Sequence, residues 1–157
     1  MTLEEIYYIS QIVAVIGIFG SLVFVGVQIR QNTRATRAAS HNAVSNSLNE
    51  INRMFAENAD LTKIWLSGLA DRQALNPEER WRFDSMSRAY MHVCETMYVQ
   101  AGLGTGDKSV MLAEEDGIKA VFGSPGVREW WAENPYGFSK EFRSYVAKLA
   151  QSADKTP

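Results

Sequence analysis

The chain has 157 residues, and its 16 basic and 18 acidic side chains leave a net charge of −2 at neutral pH. Such a balance gives no global positive field of the kind that holds nucleic acid, so we expect no nucleic-acid partner. The single cysteine, Cys94, excludes an intramolecular disulfide and agrees with a reducing compartment. Both observations favour a cytoplasmic domain.

A short N-terminal tail, residues 1–5, precedes a run of 24 residues without a charge, from Ile6 to Ile29. At about 1.5 Å of rise per residue, a helix of this length covers a bilayer core of roughly 30 Å. A buried helix of a soluble core is the alternative, but the stretch from Ile12 to Val27 has no polar face at any helical period. We therefore predict a transmembrane helix over residues 6–29.

The charges on either side of this run predict its orientation. Glu4 and Glu5 precede it, whereas every Lys and Arg follows it, beginning with Arg30, Arg34 and Arg37. Basic flanks are retained on the cytoplasmic side of a membrane. A cleaved signal peptide has the opposite charge order and a shorter apolar region. We expect an uncleaved anchor with its N-terminus outside and the following domain in the cytoplasm.

One feature of the predicted span and one of the segment after it are typical of membrane proteins. Four small residues share one helical stripe: Ser10, Ala14, Gly17 and Ser21. Such a stripe allows two spans to approach closely, although small residues also occur incidentally in any span. Three arginines share a helical face just after the span: Arg30, Arg34 and Arg37. Each gains about 1 kcal/mol near an anionic leaflet, but a specific lipid-binding cluster has about four to eight basic residues, so we assign these three to lipid headgroups as an anchor only.

A stalk helix is predicted over residues 30–58, because no Gly or Pro occurs between Val27 and Ser67. Its apolar residues recur at helical spacing: Val44, Leu48, Ile51 and Phe55. This stripe requires a partner surface.

Residues 59–151 have the pattern of a small helical domain. We expect a short helix capped by Asp60 and then a long one capped by Asn76, with Pro77 in its first turn and Glu79 at the third position. Three further helices are predicted over 109–122, from Ser124 through Trp131, and around 142–149, followed by a frayed tail over 152–157. No segment alternates like a strand, so the predicted fold is all-α: the transmembrane helix and stalk followed by an irregular cytoplasmic helical bundle.

Four segments have a characteristic order: 27–33 (VQIRQNT), 75–79 (LNPEE), 125–131 (PGVREWW) and 142–146 (FRSYV). In this order, over nearly the whole chain, they resemble an uncharacterised family of small bacterial single-pass inner-membrane proteins, a domain of unknown function. The resemblance implies the bacterial inner membrane and this topology. It implies no activity.

The segment Gly102 to Ser109 (GLGTGDKS) is the nearest approach to a nucleotide-binding motif. It fits the phosphate-binding pattern G-x-x-x-x-G-K-[ST] except that Asp107 replaces the second glycine. A carboxylate there repels phosphate, and no buried strand precedes the segment. We therefore expect an ordinary loop between helices.

The only close group of metal-binding side chain types is His92, Cys94 and Glu95. His92 and Glu95 share a helix face, but Cys94 lies about 200° round the helix from His92. His41 and the acidic residues 114–116 could add ligands, yet no second paired ligand motif is present. We expect neither a metal nor another cofactor.

Trp130 and Trp131 are adjacent, so on a helix they point about 100° apart and cannot share one core position. One prediction is that one of them is exposed at a protein interface. The alternative is that both bracket an edge of the core.

No serine, cysteine or histidine lies in a pattern typical of a nucleophilic site, so we expect a protein that is not an enzyme. The favoured function is a membrane-tethered helical interaction or scaffold module, with a protein partner or copies of itself. A small membrane-bound enzyme is the first alternative and needs a pocket near His92 and Glu95 that also collects Glu114. An oligomeric pore is the second, with Ser10, Ser21 and Gln28 lining its lumen.

Overall fold

The structure is a computed structural model that describes residues 1–106 and 108–153. These residues form six α-helices and one 3₁₀ turn, without a strand among them. The bounds are α1 Leu3–Glu57, α2 Ala59–Ala70, the 3₁₀ turn Arg72–Ala74, α3 Pro77–Gly102, α4 Lys108–Gly123, α5 Pro125–Glu133 and α6 Lys140–Ala153. The predicted all-α fold, with a long apolar helix first and a smaller helical region after it, is confirmed.

The chain divides into two compact units, Met1–Ala39 and Ser40–Pro157. This boundary falls within the stalk predicted over 30–58, and the apolar stripe of that stalk lies in the second unit. Val44 is only 5% exposed, and Leu48 and Phe55 pack against the same core. The predicted stripe thus has its partner surface within the helical domain.

The first unit consists of exposed helix. By length and composition, α1 is the one helix of the described residues that could cross a membrane, and none of its apolar window is buried. Large apolar side chains such as Ile12, Phe19 and Val23 each expose more than half of their surface.

Helix ends in the second unit follow local side-chain chemistry. The predicted capping box is present: the Glu79 N–H donates to Asn76 Oδ1 at 3.0 Å, and the Asn76 N–H donates to Glu79 Oε2 at 3.1 Å. The cap of α2 is Asn58 and not Asp60, because the Leu61 N–H donates to Asn58 Oδ1.

At its C-terminal end α6 continues through Ala153, the second residue of the tail predicted over 152–157. The rest of that predicted tail lies outside the described residues.

The core of the second unit is built around α3 and includes side chains from the C-terminal part of α1, from α2 and from the helices that follow α3. Its fully buried side chains are Phe83, Ser87, Met91, Cys94, Ile118, Val127, Trp130, Phe142 and Val146. Burial of each large apolar side chain is worth about 1.5–3 kcal/mol, so this cluster is the main favourable contribution to folding of the unit.

Candidate functional site

Arg72 is the most connected polar side chain of the described residues and is 5% exposed. Its Nε and Nη2 donate to the two carboxylate oxygens of Asp84, at 2.7 and 2.8 Å. Its Nη1 donates to Glu129 Oε1 at 2.9 Å and to Glu133 Oε2 at 2.8 Å. The guanidinium therefore joins the 3₁₀ turn to α3 and α5.

Local structure places each member of this network. Asp71 caps the 3₁₀ turn by accepting a hydrogen bond from the Gln73 N–H, which fixes the backbone beside Arg72. Glu129 and Glu133 are four residues apart on α5 and so share one helical face. The Gln73 side chain also donates to Glu129.

The chemistry of this network is structural. Hydrogen bonding to Asp84 raises the pKa of Arg72 above its ordinary value, against the effect of burial, with further support from Glu133 and Glu129. Arg72 is therefore permanently charged, and all three of its nitrogens donate hydrogen bonds to carboxylates. It cannot serve as an acid or a base.

Sequence reasoning missed this network. Arg72 lies in the connection between two predicted helices, and its partners on α5 lie 57 and 61 residues away. The one available signal is the pair of carboxylates at helical spacing, Glu129 and Glu133, of which Glu129 lies within the segment 125–131.

The two adjacent tryptophans lie in the core and at its edge. Trp130 is 0% exposed, so it offers no surface to a partner. Trp131 is half-buried, with ring centroids 4.8 Å from Phe138 and 5.8 Å from Phe122. The aromatic side chains of α4 and of the α5–α6 connection pack against Trp131, and its role at a protein interface stays a prediction.

The Gly-rich loop closes the C-terminus of α3. The N–H groups of Leu103 and Gly104 donate to the carbonyls of Val99 and Ala101, and those of Thr105 and Gly106 both donate to the Gln100 carbonyl. These donors are therefore already occupied by the helix end and do not point toward a phosphate. Asp107 lies outside the described residues.

The residues weighed as metal ligands are only partly brought together. His92 Nδ1 lies 3.5 Å from Glu95 Oε2, while Glu95 Oε1 accepts a hydrogen bond from the Ser139 N–H at 2.7 Å. Cys94 is buried on another face, where burial raises its pKa to about 12 and a hydrogen bond with Tyr90 partly opposes that effect. Among the described residues, no three His, Cys, Asp or Glu side chains are arranged to hold a metal ion.

The residues assigned to the membrane lie on exposed helix. The Ser10 and Ser21 hydroxyls donate to carbonyls of their own helix, those of Ile6 and Gly17, at 2.7 and 2.6 Å. Gly17 has open space beside it, and so a neighbouring helix could approach there. Arg30, Arg34 and Arg37 are exposed.

Two adjoining cavities lie in the second unit. The first, which we name the apolar cleft, has a volume of about 580 Å³ and lies between the end of α3, α4 and the start of α6. Its lining comprises Tyr98, Val99, Ala101, Gly102, Leu103, Met111, Leu112, Ser139 and Glu141. The second, the lysine cavity, has about 360 Å³ and is lined by Tyr98, Lys140, Glu141, Ser144, Tyr145 and Lys148. His92, Glu95 and Glu114, the residues of the enzyme alternative, line neither.

No protein-family model matches this chain, and no characterised protein or solved structure is significantly similar to it.

Proposed function

We propose that this protein is a single-pass membrane-tethered helical module that presents its Ser40–Pro157 unit in the cytoplasm to a protein partner or to further copies of itself. The observation that carries the proposal is the exposed apolar surface of α1. Apolar side chains cover the helix from Ile6 to Ile29 on all sides, and none of its apolar window is buried. A continuous apolar surface of this extent is unstable in water and is typical of a segment in contact with lipid.

The second unit supports the role of a stable platform. It has its own core, and the Arg72 network ties together three of its elements, the 3₁₀ turn, α3 and α5. The proposed orientation follows from the arginines after the apolar run. The bacterial inner membrane is proposed from the family resemblance.

Membrane association of charged variants tests the tether. Phe19 lies near the middle of the apolar run, where an arginine costs about 2.5–3.5 kcal/mol in insertion. We expect the double variant Ile16→Arg/Phe19→Arg to be released from membranes by alkaline carbonate, while the native protein stays in the pellet. Leu66→Arg is the control, because Leu66 is 61% exposed but lies in the second unit. Release of the native chain and the control alike contradicts the proposal.

A further inference from the structure

Half of the exposed large apolar side chains of the second unit line one concavity. Among its described residues, six large apolar side chains are exposed: Leu66, Trp81, Val99, Leu103, Leu112 and Tyr136. Three of these six, Val99, Leu103 and Leu112, line the apolar cleft. Leu103 and Leu112 are 72% and 66% exposed, so the apolar recess is open to water.

The shape of this recess suits a small ligand. Its volume of about 580 Å³ falls within the range of roughly 300–1,000 Å³ typical of ligand sites. Ligand sites combine mostly apolar walls with a few polar groups that fix orientation. Here the walls come from α3 and α4, while Ser139 and Glu141 form the polar side at the start of α6.

The neighbouring lysine cavity supplies positive charge. It shares Tyr98 and Glu141 with the apolar cleft, so the two cavities adjoin. Lys140 and Lys148 outnumber its one carboxylate, Glu141, and neither lysine forms an ion pair with the side chains that the structure describes. A second carboxylate, that of Glu115, interacts electrostatically with Tyr145 of this cavity, but it forms an ion pair with Lys119 at 3.0 Å.

From these observations we propose that the apolar cleft and the lysine cavity together bind a free long-chain carboxylate. Its hydrocarbon chain lies along Val99, Leu103 and Leu112, and its carboxylate lies between Lys140 and Lys148. Burial of the chain removes the exposed apolar surface from water, and the headgroup meets the unpaired ammonium groups. Because both cavities lie within the Ser40–Pro157 unit, the site does not depend on the membrane tether.

Photocrosslinking of the full chain in phosphatidylcholine nanodiscs tests the site. The probe is a palmitate analogue with a diazirine on its chain, and adducts are located by mass spectrometry of peptides. We expect adducts on peptides that contain residues 98–103 and 111–112, and excess palmitate should compete with them. Adducts confined to residues 6–29 would report partition into the bilayer alone and overturn the proposal.

Matched variants separate binding from folding. Leu112→Glu should reduce labelling of the cleft by about fivefold or more, whereas Leu66→Glu, the same change at a leucine of similar exposure, should not. Equal labelling in the two variants, with unchanged thermal melting of both, contradicts the site.

The headgroup assignment has its own test. Lys148→Glu should reduce labelling by the photoreactive palmitate but not by the corresponding uncharged hexadecanol analogue. Equal effects on the two probes contradict the placement of the carboxylate at the lysines.

Discussion

Gly126 at the start of α5 lies directly against the carbonyl oxygen of Gly68 on α2. A Cβ atom on Gly126 would overlap that oxygen, and a Cβ atom on Gly68 would overlap the ring of Phe83. The two glycines thus set the distance at which α2, α3 and α5 pack. This close approach also brings Glu129 and Glu133, one and two turns further along α5, to Arg72.

Replacement of Gly126 by alanine should therefore destabilise the second unit. The added methyl group forces α5 away from α2, and overpacking of this kind typically costs about 1–3 kcal/mol. Thermal unfolding followed by circular dichroism measures the effect. Gly117→Ala is the control, because Gly117 on α4 has open space beside it and alanine is the better helix former by up to about 1 kcal/mol. Equal melting temperatures for the two variants contradict the close packing.

Removal of the Arg72 charge should be more costly. Arg72→Met leaves three carboxylates facing one another without their cation, and loss of one partner from a buried ion pair costs about 3–5 kcal/mol. Glu133→Gln, at a side chain that is 55% exposed, should cost no more than about 1 kcal/mol. Chemical denaturation of both variants tests this order, and a stable Arg72→Met protein would show that the network adds little to the fold.

Stability should fall at alkaline pH because of the buried thiol. The pKa of Cys94 is raised from its ordinary 9.0 to about 12, so the folded state keeps a proton that the unfolded chain releases. The stabilisation is therefore complete below pH 9 and is lost as the pH rises toward 12, by about 1.4 kcal/mol per pH unit.

Unfolding measurements at pH 9 and 10 weight this effect most, because the thiol of the unfolded chain titrates about one pH unit below tyrosine, whose ordinary pKa is about 10. Burial raises the pKa of Tyr145 to about 12, and its contribution follows at higher pH. Cys94→Ala should lose most of the slope between pH 9 and 10. The same slope in the alanine variant would assign the loss to other groups.

Self-association through the small-residue stripe should depend on Gly17. An isoleucine there separates helix backbones whose attraction requires close van der Waals contact, so Gly17→Ile should weaken the oligomer. Leu22 lies on another face of the helix, so Leu22→Ile should not change self-association. Both substitutions keep the segment apolar. Equal signals in a membrane two-hybrid assay would show that the stripe is incidental.

Local signals in the sequence predicted the helices well, whereas long-range partners could not be predicted. The four consecutive residues 76–79 form a capping box that specifies a helix start, and the structure contains it as predicted. The partners of Arg72 lie on α3 and α5, and no local pattern pairs one arginine with carboxylates up to 61 residues away. The apolar cleft was missed for the same reason, since its walls come from three helices.

The burial of Trp130 and the position of the unit boundary also depended on tertiary packing. Adjacent tryptophans on a helix must face different ways, but only the neighbouring rings decide which side is covered. Val44 lies on a stripe that the sequence shows, although the sequence does not show that the domain begins near Ser40.

The most direct test of the central claim is the accessibility of two single cysteines in intact spheroplasts. In a Cys94→Ala background, a membrane-impermeant maleimide is applied to Thr2→Cys and to Ser152→Cys, with detergent-treated samples as the reference for full labelling. A single span with its N-terminus outside predicts labelling of Thr2→Cys before lysis and of Ser152→Cys only after it. The reverse pattern, or labelling of both positions before lysis, contradicts a cytoplasmic domain tethered by α1.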